Sequence, residues 1–191
     1  MKNAKTSKII FHVLSFLMCA VILGMLACTF SPYFTITQPY HFILNPNPTP
    51  VDYTLADLIW TNTELIDEHF AANYANFNIN DYVTNLALSF IFGLGTVVSC
   101  IWHFYNNVKR YPAMTSGVVS NLCALCWSLF SLLGYPNNAM LDLGVEAYKG
   151  IRTVIIILAI VGTVFVIARF VIWLITEVKA HKEMKARLAK L

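Results

Sequence analysis

Apolar residues dominate four stretches of this chain, roughly Ile9 to Phe30, Val83 to Phe104, Ala113 to Gly134 and Thr153 to Thr176, and polar residues collect between them. As an α-helix rising about 1.5 Å per residue, each stretch covers a hydrocarbon core about 30 Å thick. The pattern predicts four membrane spans joined by one long and two short connections. The first run, preceded by Lys2, Lys5 and Lys8, also invites reading as a signal sequence, and "MLAC" at Met25 to Cys28 resembles a lipoprotein cleavage site. A signal core is usually about 7–15 residues, and this run is longer, so it is read as a retained span.

Composition supports that class. Over 191 residues the chain is 58% hydrophobic and 12% charged, with a mean hydropathy of +0.63, unlike a soluble domain. One membrane domain fills the length, with an outer loop at 31–82 and a basic tail at 177–191. Lys2, Lys5 and Lys8, then Lys109 and Arg110, then Lys179, Lys182, Lys185, Arg187 and Lys190 flank the spans on one side. Cytoplasmic flanks retain Lys and Arg, so both termini are expected in the cytoplasm. The other side carries Asp52, Asp57, Glu64, Asp67, Glu68, Asp81, Asp142 and Glu146 against Lys149 and Arg152, and the net +3 therefore averages two opposite surfaces. Tyr33, Tyr82, Tyr135 and Tyr148 mark the outer boundary, and Trp102, Tyr105, Tyr111 and Trp173 the inner one. A bacterial plasma membrane is the expected location.

The outer loop opens with "YFTITQPYHFIL", whose β-branched and aromatic residues predict an extended ribbon interrupted at Pro39. "NPNPTP" then reads as a polyproline-like spacer, and its Asn47 cannot be glycosylated because proline follows. In "YTLADLIW", Thr54 and Asp57 have capping-box spacing, and Leu55, Leu58 and Ile59 share one side, predicting a short helix at the membrane surface. A similar signal at Thr61 and Glu64 predicts a second helix through "ELIDEHFAANYA". No internal repeat is visible to support an inverted-repeat transporter.

Small residues recur along the spans. Ser116, Ser120, Ala124 and Ser128 fall every four residues on span three; Ala20, Gly24 and Cys28 on span one; Ser89 with Gly93 and Gly95 with Ser99 on span two; Ala159 and Gly162 on span four. Such ridges let helices approach closely in lipid. The expected fold is an all-α membrane protein, a left-handed antiparallel four-helix transmembrane bundle with a partly structured outer loop between spans one and two.

Candidate chemistry is sparse. Arg169 lies about 7 Å inside the inner boundary, within reach of a snorkelling side chain, which is the favoured reading. The alternative turns it inward toward Glu177, a lipid phosphate, Asn121 as a neutral acceptor, or another protein, since charge within a bilayer is costly and often functional. Cys123 and Cys126 have redox-pair spacing, with Cys19 at similar depth, but nothing nearby activates a thiolate, and packing is preferred. Four-helix quinone-linked disulfide-forming enzymes and vitamin K epoxide reductases share the span count, yet rely on loop cysteines this chain lacks. His12 and His103 could ligate a haem, although histidines at an interface are commonplace. Glu64, Asp67 and Glu68 beside His69 could hold a hard cation, but a solvated acidic face is the simpler reading. The basic tail suits anionic lipid. With no phosphate loop, nucleophile elbow or HExxH, no catalytic residue, cofactor or metal is assigned, and no enzymatic activity or nucleic-acid partner is expected.

Four spans, cytoplasmic ends and a large first outer loop resemble the plan of claudins and related tetraspan adhesion or channel-accessory proteins. The resemblance is architectural. The claudin loop joins tryptophans to a cysteine pair, whereas this loop has Trp60 and no cysteine, so no family residue is carried over. The leading expectation is a non-enzymatic membrane scaffold or accessory subunit. It would bind lipid and another integral membrane protein, or itself as a homo-oligomer, through helix faces and the outer-loop residues Trp60, Glu64, Asp67 and Glu68. A small oligomeric channel or transporter using Arg169 and Asn121 is the alternative, followed by a membrane redox protein.

Overall fold

The computed structural model describes residues 2–37, 50–60, 79–109, 114–135 and 150–188. In chain order the elements are α1 (Lys2–Cys28), β1 (Pro32–Thr37), β2 (Pro50–Thr54), α2 (Leu55–Trp60), α3 (Ile79–Lys109), α4 (Met114–Gly134) and α5 (Ile151–Leu188). Four helices are long and apolar enough to cross a membrane, over Thr6–Cys28, Val83–Val108, Met114–Gly134 and Ile151–Val178. They coincide with the four apolar runs. A helix satisfies its own backbone hydrogen bonds, which lipid cannot do for it. At about 1.5 Å per residue, α5 reaches about 57 Å, so its basic end extends well beyond a hydrocarbon core.

Trp127, fully buried on α4, is central to the packing. A Cβ at Gly93 of α3 would lie 3.1 Å from its ring, and one at Gly162 of α5 would overlap it. The two glycines therefore let α3 and α5 close around an indole that neither could accommodate with a larger residue. Met18, Ile22 and Met25 of α1, Leu86 of α3, Ala124 of α4, and Ile155, Ala159 and Val166 of α5 complete this core. Large apolar residues such as Phe16, Val98, Leu129 and Val164 face outward, as helices surrounded by lipid require.

The small residues contribute unequally. Ser116, Ser120, Ala124 and Ser128 are all buried, as are Ser89, Gly93 and Ser99, while Gly95 is half-buried against Cys123. On α1, by contrast, Ala20 is exposed and Gly24 half-buried. That helix meets its neighbours through Phe11, Ser15, Met18, Ile22 and Met25.

Between α1 and α3 the ribbon expected after Ser31 is one strand of an antiparallel hairpin. Thr37 faces Pro50, Ile36 faces Val51 and Thr35 faces Asp52, with an irregularity between Pro32 and Phe34. That irregularity falls at Tyr33, which is fully buried; a bulge re-aims a side chain in this way. The second strand was hidden in the sequence because "PVDYT" follows a proline-rich run and looks like the end of a spacer. Its last residue caps α2: Thr54 Oγ1 accepts from Asp57 N at 3.1 Å, and Asp57 Oδ2 accepts from Thr54 N at 2.7 Å and from Thr54 Oγ1 at 2.8 Å. This reciprocal cap satisfies helix-end donors that would otherwise be unpaired. Ala56 N donates to Thr29 O at 3.0 Å, fastening α2 to the end of α1. The second expected loop helix, at 61–78, lies outside the described residues.

Two outcomes test this packing. Gly162→Val should lower unfolding stability in detergent by about 1–3 kcal/mol through overpacking against Trp127, read by circular dichroism during denaturant titration. Tyr135 is buried at the end of α4, where burial raises its phenol above the ordinary range, partly offset by hydrogen bonds with Thr29 and Ser89. Its stabilising contribution should be complete below about pH 10 and fall as pH rises through the elevated folded value; Tyr135→Phe should flatten that dependence.

Candidate functional site

Arg169 is fully buried. It does not snorkel to a surface, as its distance from the boundary suggested; it turns between α1 and α4. Its Nε donates to Ser15 Oγ at 2.8 Å, Nη2 to Ser120 Oγ at 2.6 Å, and Nη1 to Asn121 Oδ1 at 3.0 Å and Ser120 O at 3.3 Å. The Phe11 ring covers the guanidinium, 4.7 Å from its carbon to the ring centre.

The acceptors are oriented before the arginine reaches them. Ser15 Oγ donates its own hydrogen to Phe11 O at 2.8 Å, Ser120 Oγ to Gly117 O at 3.1 Å, and Asn121 Nδ2 to Gly117 O at 2.9 Å. Each donor group is thus spent one helical turn back, leaving oxygen lone pairs for the guanidinium, a donor-only group with a fixed fork. Among the described residues no carboxylate pairs with Arg169. A charge that is costly in lipid is held by neutral dipoles and an aromatic face.

Nearer the N-terminus of α1, Lys8, Phe11, His12, His103, Asn107, Met114, Trp173, Thr176 and Glu177 line a cavity of about 200 Å³. Asn107 Nδ2 donates to His103 Nε2 at 2.9 Å and to His103 O at 3.0 Å. An amide N–H can donate only to an unprotonated ring nitrogen, which places the imidazole hydrogen on Nδ1, directed to Ser116 Oγ at 3.0 Å. His12 and His103 do come together, with ring centres 6.2 Å apart. Both nitrogens of His103 are already engaged, however, and this arrangement offers neither to a haem iron. No cluster of three or more metal-binding side chains occurs among the described residues. The acidic group Glu64, Asp67 and Glu68 lies outside them.

Two further groupings were not legible in the sequence. Cys19 of α1 and Cys100 of α3 come together in the core, whereas spacing drew attention to Cys123 and Cys126. Trp60 stacks on Phe30 with ring centres 5.9 Å apart and meets the edge of Phe90 at 4.9 Å. Phe30 and Trp60 are more than half exposed. Phe30 follows α1, Trp60 ends α2 and Phe90 lies within α3, so the three become a cluster only once the hairpin folds back.

A double-mutant cycle tests the arginine centre. Pairing Arg169→Gln with Ser120→Ala should give a coupling energy of about 1 kcal/mol in unfolding stability. Additive losses would place the guanidinium away from Ser120. Comparison with protein-family models, curated proteins and solved structures found no match to this chain.

Proposed function

We infer that this protein is a non-enzymatic membrane scaffold or accessory subunit that binds another integral membrane protein. The observation that carries this reading is the Phe30–Trp60–Phe90 cluster beside the hairpin, in which Phe30 and Trp60 are exposed, attached to helices that pair many of their interior polar groups with one another. Ser89 meets Ser131 at 2.7 Å, Ser128 donates to Thr163 at 2.9 Å, and Arg169 is held by Ser15, Ser120 and Asn121. Burying these groups among themselves gives a framework whose exposed chemistry beside the hairpin is aromatic, the kind that dominates binding energy at interfaces. In this reading the four spans form an antiparallel bundle in a bacterial plasma membrane, both termini are cytoplasmic, and the hairpin faces outward.

A small oligomeric channel or transporter is the second reading, favoured by Arg169 as a buried cation with no carboxylate partner among the described residues, one ring away from a cavity. Quantitative mass spectrometry of the tagged chain, purified in mild detergent from its native membrane, separates the two. The accessory role expects a stoichiometric membrane-protein partner, with Trp60→Ala lowering its recovery at least about tenfold, as loss of an aromatic anchor does. A defined homo-oligomer without a partner, giving solute flux in vesicles that Arg169→Leu abolishes, would overturn it in favour of transport.

A further inference from the structure

The cavity at the N-terminal end of α1 has a chemistry that the arginine centre does not absorb. Trp173 Nε1 is buried and donates to no group among the described residues. Gly117 lets the indole approach this closely, since a Cβ there would stand 2.9 Å from Nε1 and 3.2 Å from the His103 ring. That close packing leaves the N–H against Gly117 and turned away from the cavity, so Trp173 lines the space with other atoms of its ring and the polar lining comes from its neighbours. Lys8 lines the cavity with a positive charge, whose complement is an anionic oxygen.

Glu177 supplies the opposite requirement. It lines the cavity with Lys8, yet the two form no ion pair with each other. Thr176 Oγ1 donates to Ile172 O at 2.8 Å, so its lone pairs remain to accept. These acceptors stand on α5 about one helical turn, roughly 5–6 Å, beyond Trp173 toward the helix end. A matching ligand therefore carries an anionic oxygen group for Lys8 and a hydrogen-bonding cation for Glu177 and Thr176. Phe11 closes the inner wall and separates this space from Arg169, whose guanidinium lies against the same ring.

We propose that this cavity binds the phosphoethanolamine headgroup of a bilayer lipid, with phosphate toward Lys8 and the primary ammonium toward Glu177 and Thr176. The volume, about 200 Å³, falls below the range for drug-sized ligands and suits a headgroup whose acyl chains remain in the bilayer. Polar pockets between spans at a membrane face bind lipid headgroups through this combination of charge and hydrogen bonding. The ammonium separates this ligand from a purely anionic lipid, which would leave Glu177 facing like charge. Its N–H groups separate it from a choline headgroup, which has none to donate.

The test uses the full chain reconstituted in vesicles of equimolar phosphatidylethanolamine, phosphatidylcholine, phosphatidylglycerol and phosphatidylserine, extracted in mild detergent and examined by native mass spectrometry for retained lipid. The expected result is one phosphatidylethanolamine kept in preference to the other three. Lys8→Gln should reduce its retention by about tenfold, the size of one charge-assisted hydrogen bond. Glu177→Gln should erase the preference over phosphatidylglycerol, while Arg152→Gln, at the opposite end of α5, should leave retention unchanged. Circular dichroism of each variant confirms that it is folded. Equal retention of all four lipids, preference for phosphatidylglycerol, or a preference indifferent to Lys8→Gln and Glu177→Gln in folded protein would overturn the proposal. Displacement of the lipid by an equal concentration of soluble phosphoethanolamine would overturn the lipid as source.

Discussion

Holding one guanidinium out of water with no carboxylate partner among the described residues is the constraint around which the helix contacts of this protein are arranged. Arg169 needs several acceptors on different helices at once, and its planar fork tolerates little error in their placement. Ser15 comes from α1, and Ser120 and Asn121 from α4, so the arginine of α5 fixes the depth and rotation of three helices relative to one another. A register slip on any of them would strand a charge in a medium where stranding is expensive. The centre is thus a specificity device as much as a source of stability, consistent with the use of buried polar groups to select one packing among several.

Trp127 imposes a complementary constraint closer to the middle of the spans. It demands space at Gly93 and Gly162, while Arg169 demands acceptors at Ser15, Ser120 and Asn121. The ring is apolar and non-directional in its packing; the guanidinium is directional. Together they explain why α4 carries small or polar residues on its inner face while leucines occupy its outside. They also bear on function. Small residues that could have mediated contacts with a neighbouring protein are largely consumed within this chain, leaving, among the described residues, the aromatic cluster near the hairpin and the cavity at the opposite end as places with unspent recognition chemistry.

Much of this plan could be read from residues alone. Apolar run length located the spans, because lipid allows few alternatives to a helix at that length. Thr54 and Asp57 identified the start of α2, because capping is a local interaction three residues in span. Asn121 could be named as a neutral acceptor for Arg169, since spans one to three contain no acidic residue. The direction of Arg169 was not legible: snorkelling and inward turning begin from the same depth, and the choice depends on rotation about the helix axis set by tertiary packing. Nor was the contact between Cys19 and Cys100, nor the meeting of Lys8 with Glu177 around one cavity, because each joins residues on different helices without a spacing signature. Ala20 shows the converse error, a residue in a small-residue pattern that faces away from the interior.

The orientation of Arg169 is therefore the claim to measure most directly. Hydrogen exchange at its Nε–H, followed by nuclear magnetic resonance of the full chain labelled with ¹⁵N-arginine in nanodiscs and assigned by loss of the signal in Arg169→Gln, reports whether the group meets water. The expected result is exchange far slower than that of Arg187 in the basic tail, with a distinct shift from the bond to Ser15 Oγ and the Phe11 ring. Exchange as fast as that of Arg187 would put the guanidinium at the membrane surface and contradict the account.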